Sequence, residues 1–270
     1  MPVIDIGEVS LYCEERGRGN PVVFLHGFTL DHRMWRRQVE YFSDFYRVIV
    51  YDSRGHGRSS CPPSGYSRRD RVLDLKRLAD TLELGRFHVV GLSMGGATAL
   101  GYAIDYPETL SSLTLVDASA GGYAPPPKYR DLRDVALTRG VDEAKRRWIK
   151  TTLFYYANRH PQIRDELAEM MTGHCGHLWL DPMRGKYNDR DDVAVASQIT
   201  LPTMIFVGGK DRHFLPLAKT LHERIAGSEI DIVPEVGHML NMEAPDRFNF
   251  RLKQFLDRVE AAQEGRKNHA

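Results

Sequence analysis

Along this chain, short apolar runs alternate with segments whose apolar residues fall three or four positions apart. Residues 3–15 alternate around Gly7, as in a hairpin of two edge strands. After Gly17, Gly19 and Pro21 comes Val22-Val23-Phe24-Leu25, a continuous apolar run expected of a strand buried on both faces. Met34, Trp35, Val39 and Phe42 take helical spacing over 31–43, and Arg47–Tyr51 reads as the next strand. Val72, Leu75, Leu78, Ala79 and Leu82 mark an amphipathic helix over 67–84. Phe87–Leu92 is again a strand, 94–106 a small-residue helix able to sit close to a sheet, and 113–116 another buried strand.

Beyond Asp117 the pattern changes. Gly121-Gly122 and Pro125-Pro126-Pro127 break the alternation, and helical spacing over 144–154 and 163–171 replaces strands. We read 122–192 as a helical cap inserted into a core made of 1–121 and 193–270. The regular order then resumes with strands at 204–207 and 230–233, helices at 216–225 and 245–261, and a polar tail expected to fray. Strands alternating with helices predict an α/β fold, a parallel sheet with helices on both faces.

Composition narrows the function classes. Opposing charges number 37 and 36, so the net charge of +1 gives no electrostatic case for nucleic acid or an anionic membrane as partner. No run approaches the roughly 18 uninterrupted apolar residues of a membrane span. The first residues, Met1-Pro2-Val3-Ile4-Asp5, carry no signal-peptide pattern. Three scattered cysteines, Cys13, Cys61 and Cys175, suggest no disulfide framework. A reducing, cytoplasmic location is therefore the expectation.

The chemistry concentrates in Gly91-Leu92-Ser93-Met94-Gly95-Gly96, a G-x-S-x-G run between a strand and a helix. A serine at so sharp a turn is lifted clear of the sheet, and the Met94 amide after it lacks an intrahelical partner. A serine hydroxyl needs a base, and the base needs a carboxylate to hold its other nitrogen. Asp211 and His238 each follow a late strand, so the three groups gather at the carboxyl edge of a parallel sheet. Asp117, also after a strand, competes with Asp211 for the carboxylate role. The turn His26-Gly27-Phe28 offers the Phe28 amide as a second oxyanion donor opposite that of Met94.

These pieces, with the loop Asp52-Ser53-Arg54-Gly55-His56-Gly57-Arg58-Ser59 and with Gly209-Lys210-Asp211 and Gly237-His238, resemble the α/β-hydrolase-fold enzymes over the whole chain outside the insertion. That resemblance implies a mostly parallel eight-stranded sheet, a helical cap, and hydrolysis through an acyl-enzyme with no cofactor and no metal. Small carboxylesterases, 3-oxoadipate enol-lactonases and cofactor-free haloperoxidases look most similar, which implies a small ester or lactone as substrate. Leu92 stands where carbon–carbon hydrolases of meta-cleavage products usually carry Asn, and Asp211-Arg212-His213-Phe214-Leu215-Pro216 is one residue longer than the usual Asp-Arg-x-x-Pro. Carbon–carbon hydrolysis, perhydrolase activity and a small-molecule receptor on the same scaffold are the alternatives.

Trp148, Phe154, Tyr155, Leu178 and Trp179, with Tyr156, are expected to line the substrate pocket beneath the cap. His26 and His56 read as structural. His174-Cys175-Gly176-His177 lacks the further ligands a zinc site needs and reads as a cap or surface turn. Arg146, Arg147 and Lys150 read as a solvated helix face. Nothing in the sequence decides for or against a homo-oligomer.

Overall fold

The computed structural model describes residues 3–123, 131–181 and 190–267. Eight strands form one sheet: β1 (Val3–Asp5), β2 (Ser10–Arg16), β3 (Pro21–Leu25), β4 (Arg47–Tyr51), β5 (Phe87–Leu92), β6 (Leu110–Val116), β7 (Thr203–Gly208) and β8 (Glu229–Val233). Their order across the sheet is β1-β2-β4-β3-β5-β6-β7-β8. β2 runs antiparallel to β1 and β4, and every later pairing is parallel. The sheet is therefore mostly parallel, as the alternation predicts. Only half of the expected N-terminal pair lies at an edge, because Cys13–Arg16 of β2 pair with Val48–Tyr51 of β4. In β5, β6 and β7 every residue is buried, His88, Ser111, Ser112, Thr114 and Thr203 included, and apolar residues predominate.

Helices cover both faces. α1 (Arg36–Phe42) follows a short 3-10 turn whose Asp31 side chain accepts from the Arg33 amide. α2 (Arg68–Thr81) begins at a capping box in which Ser67 and Asp70 satisfy each other's backbone amides. It buries Val72, Leu75, Leu78 and Ala79. α3 (Met94–Asp105) buries nearly its whole surface, as its small residues allow.

Between β6 and β7 the described residues hold only helices. These are α4 (Asp131–Arg139), α5 (Val141–Trp148), α6 (Pro161–Thr172), α7 (His177–Leu180) and α8 (Asp192–Val195). The proline run 125–127 lies outside the described residues. The helix expected over 144–154 stops at Trp148, and Asn158 Nδ2 donates to the Ile149 carbonyl just beyond it, at 2.7 Å. The chain ends with α9 (Leu215–Arg224), α10 (Leu240–Glu243) and α11 (Pro245–Lys267). α11 runs past the expected end at 261, where Gln263 Nε2 donates to the Ser111 carbonyl of β6 and tethers the last turns. No helix among the described residues is long and apolar enough to cross a membrane.

The cysteines correct the sequence expectation. Cys61, in the loop after β4, forms a disulfide with Cys175, in the turn after α6. The Cys175 amide donates to the Gly55 carbonyl at 3.1 Å, so the two segments already lie side by side. Their separation of 114 residues hid the pair from a reading along the chain. The disulfide also removes one ground on which a reducing compartment was expected.

Candidate active site

Ser93 joins β5 to α3 with φ 54° and ψ −112°, a conformation that a side chain adopts only at a cost of about 1–3 kcal/mol. Three backbone bonds hold it there. Its amide donates to the Val116 carbonyl at 3.0 Å, and its carbonyl accepts from Ala97 and Ser119, each at 3.0 Å. The flanking glycines are required by contact: a Cβ on Gly91 would lie 2.3 Å from the Gly95 carbonyl oxygen, and one on Gly95 would lie 2.3 Å from that of Leu25. This close approach seats the serine turn on the end of β3. There a Cβ on Gly27 would meet the Ser93 Cβ at 3.7 Å. Among the described residues, neither the Phe28 nor the Met94 amide donates to a protein acceptor.

On the far side of β6, Asp211 follows β7 and His238 follows β8. His238 Nδ1 donates to Asp211 Oδ2 at 2.6 Å, which leaves Nε2 as the ring's acceptor. The other Asp211 oxygen accepts the amides of His213 at 3.1 Å and Phe214 at 3.3 Å. Burial alone would raise the Asp211 carboxyl, but the charge and hydrogen bond of His238, with the His213 amide, outweigh it and hold the group below the ordinary carboxylate range. In the Asp211-to-Pro216 run Phe214 stands just ahead of α9, with its ring stacked on His238 at a centroid distance of 4.9 Å.

Asp117 does not contact the imidazole in this way. Its Oδ1 accepts the Gly208 amide at 2.8 Å, and it stands with Asp211 and His238 in a buried group whose polar atoms lie within 4.8 Å of one another. Burial, then the Asp211 charge, push its carboxyl well above the ordinary range.

The sequence reading missed Glu243. Its two oxygens accept the Gly237 amide at 2.7 Å and the Met239 amide at 3.1 Å, bracketing His238 from both sides along the chain. Its signal was the Gly-His-x4-Glu-x-Pro spacing of 237–245. His26 is a bracing residue as expected, donating from Nδ1 to the Gly27 carbonyl and accepting the Ser53 amide at Nε2.

The residues expected to line a pocket divide into groups. Trp148 and Trp179 pack on the Phe28 ring at 5.6 and 5.3 Å, and Trp148 Nε1 donates to Thr29 Oγ1 at 2.7 Å. Phe154 is 1% exposed and packs edge-on against Trp148, so it holds the helices together. Tyr155 is exposed and, with Tyr156, Thr152, Arg212 and His213, lines a cavity of about 500 Å³ that reaches Asp211 and His238. Leu178 is partly buried in α7, one residue before Trp179. His177 does lie with Cys61 and Cys175 in a cluster of soft donors, but both sulfurs are committed to each other.

The comparisons with known proteins agree with this fold. The sequence profile of the alpha/beta hydrolase family matches residues 22–251. The chain is 29% identical over 263 residues to a putative 2-succinyl-6-hydroxy-2,4-cyclohexadiene-1-carboxylate synthase of Bacillus subtilis, covering 88% of this chain and 90% of that protein. It is 26% identical to 3-oxoadipate enol-lactonase 2 of Acinetobacter baylyi over 241 residues, 88% of each. Among solved structures, a thermophilic esterase from Thermogutta terrifontis superposes with a TM-score of 0.81 at 27% identity, covering 93% of this chain and 94% of that one.

Proposed function

We propose, for a chain that belongs to the alpha/beta hydrolase family, that it is a serine hydrolase of small carboxylic esters or lactones. The observation that carries this reading is the buried 2.6 Å bond from His238 Nδ1 to Asp211, on the same sheet edge as a strained serine. Ser93 Oγ attacks the substrate carbonyl and gives its proton to His238 Nε2. Asp211 holds the ring and stabilises the imidazolium. The Phe28 and Met94 amides receive the oxyanion. His238 then protonates the departing alcohol oxygen, leaving an acyl group on Ser93, and activates the water that removes it. The esterase and enol-lactonase likenesses support an oxygen leaving group.

Ser93→Ala is expected to lower kcat for p-nitrophenyl butyrate by a factor on the order of 10⁴–10⁶ and to abolish labelling by a fluorophosphonate. A variant that keeps its rate would remove Ser93 as the nucleophile.

A further inference from the structure

Asp117 is a second buried carboxyl behind the Asp211–His238 pair, and the mechanism above does not use it. It follows β6 with φ +40°, fully buried, and its amide donates to the Phe206 carbonyl at 2.9 Å. The residue is thus held against the strand that leads to Asp211. One carboxyl oxygen takes the Gly208 amide. The other, Oδ2, is buried, and among the described residues no N–H or O–H donor reaches it. An anionic oxygen left so is costly, because nothing replaces the water it lost. The nearby carboxylate of Asp211 is an acceptor only, and two ionised carboxylates within 4.8 Å of each other at buried positions repel.

We propose that Asp117 is a neutral carboxylic acid whose Oδ2–H donates to Asp211, making it a positioning residue for the Asp211–His238 pair. One proton resolves both difficulties. It discharges the unpartnered oxygen, and it gives Asp211 a further donor beside the His213 and Phe214 amides and the His238 ring. A carboxylate has about four lone-pair sites, so four donors fill it. Held on all sides, Asp211 cannot turn away from the imidazole, and its charge is shared among donors instead of falling on His238 alone. The inference rests on the proposed reading of that pair as acid and base. The charged or titratable groups acting on Asp117 are Asp211, His238 in the same buried group, and Glu243.

The test compares Asp117→Asn with Asp117→Ala in the pH profile of kcat/KM for p-nitrophenyl butyrate, and in infrared difference spectra of the resting protein. Asparagine reproduces the neutral donor, with Nδ2 toward Asp211 and Oδ1 toward the Gly208 amide. It should therefore rescue most of the activity that alanine loses and leave the acid limb in place. Alanine should lower kcat about 10-fold or more, in the range seen when a supporting hydrogen-bond partner is lost. It should also move the acid limb to higher pH, since a less satisfied Asp211 stabilises the imidazolium. An acid limb displaced to lower pH in the asparagine variant would mean that an anion had been removed, and would overturn the proposal. So would an alanine variant indistinguishable from the parent protein.

The infrared arm does not depend on turnover. A protonated-carboxyl band present in the parent protein and missing from Asp117→Asn supports the proton on Asp117 even if Ser93→Ala stays active, in which case the hydrolase reading fails alone. A band that persists in the asparagine variant, with none lost, counts against the proposal, even where the alanine variant does not fold.

Discussion

At the sheet rim, a Cβ on Gly91, Gly95 or Gly208 would meet backbone oxygen at 2.1–2.3 Å, so main chain packs directly on main chain. Across the β6–β7 helices the attachment to the core is made mostly by side chains, beside the Cys175–Gly55 main-chain bond. Arg36 and Arg37 reach Glu166, Arg33 reaches Glu169, Trp148 reaches Thr29, and Cys61 bonds Cys175. Main-chain contacts tolerate no change of residue, whereas side-chain contacts can be exchanged one at a time. A rim built in the first way keeps its geometry while the segment above it, built in the second, can be varied to suit a substrate.

The contrast can be broken from either side. Gly95→Ala should be the most damaging single change, costing about 3 kcal/mol or more as forced overpacking against the Leu25 carbonyl. A urea midpoint that barely moves would show the rim to be more yielding than it looks. Reducing the Cys61–Cys175 disulfide, or replacing both residues by serine, should cost about 2–4 kcal/mol. Protease cleavage should then appear first between β6 and β7, and cleavage starting in the sheet instead would contradict side-chain anchorage of the helices. Trp148→Phe removes one buried hydrogen bond, about 1 kcal/mol, and should change KM among acyl chain lengths more than kcat.

The smallest effect is on pH dependence. Burial, then the neighbouring His174 and His26, hold His56 well below the ordinary imidazole range, and the Arg71 charge acts in the same direction. The unfolded chain therefore binds a proton that the folded one refuses. This contribution to stability is full well above the unfolded imidazole pKa of about 6.5 and is lost progressively as pH falls through that value toward the folded one. Thermal melts of His56→Asn should lose that slope.

What the sequence disclosed follows the same division. Strands covered on both faces announce themselves as apolar runs, and Ser93, Asp211 and His238 are marked by glycines that the backbone demands. The choice between Asp117 and Asp211 was open along the chain, because both follow strands, and only their hydrogen bonds separate them, Asp211 taking the imidazole and Asp117 the Gly208 amide. Glu243 was missed because it acts on the amides of Gly237 and Met239 and carries no reacting group of its own. The Cys61–Cys175 pair joins two loops brought together only by folding. Phe154 and Tyr155 are adjacent aromatics with opposite fates, one buried and the other 58% exposed, which apolar patterning alone does not distinguish.

Phe28 belongs to both halves of the molecule. Its ring is wedged among Trp148, His174 and Trp179, while its amide lies on the turn after β3. Anyone transplanting a relative's helical segment onto this sheet to alter selectivity would thereby reseat that ring, and with it the orientation of an amide meant for the transition state. Such chimeras should trade turnover against selectivity in step, and a graft that changes preference at constant kcat for the shared substrate would show that the wedge transmits nothing.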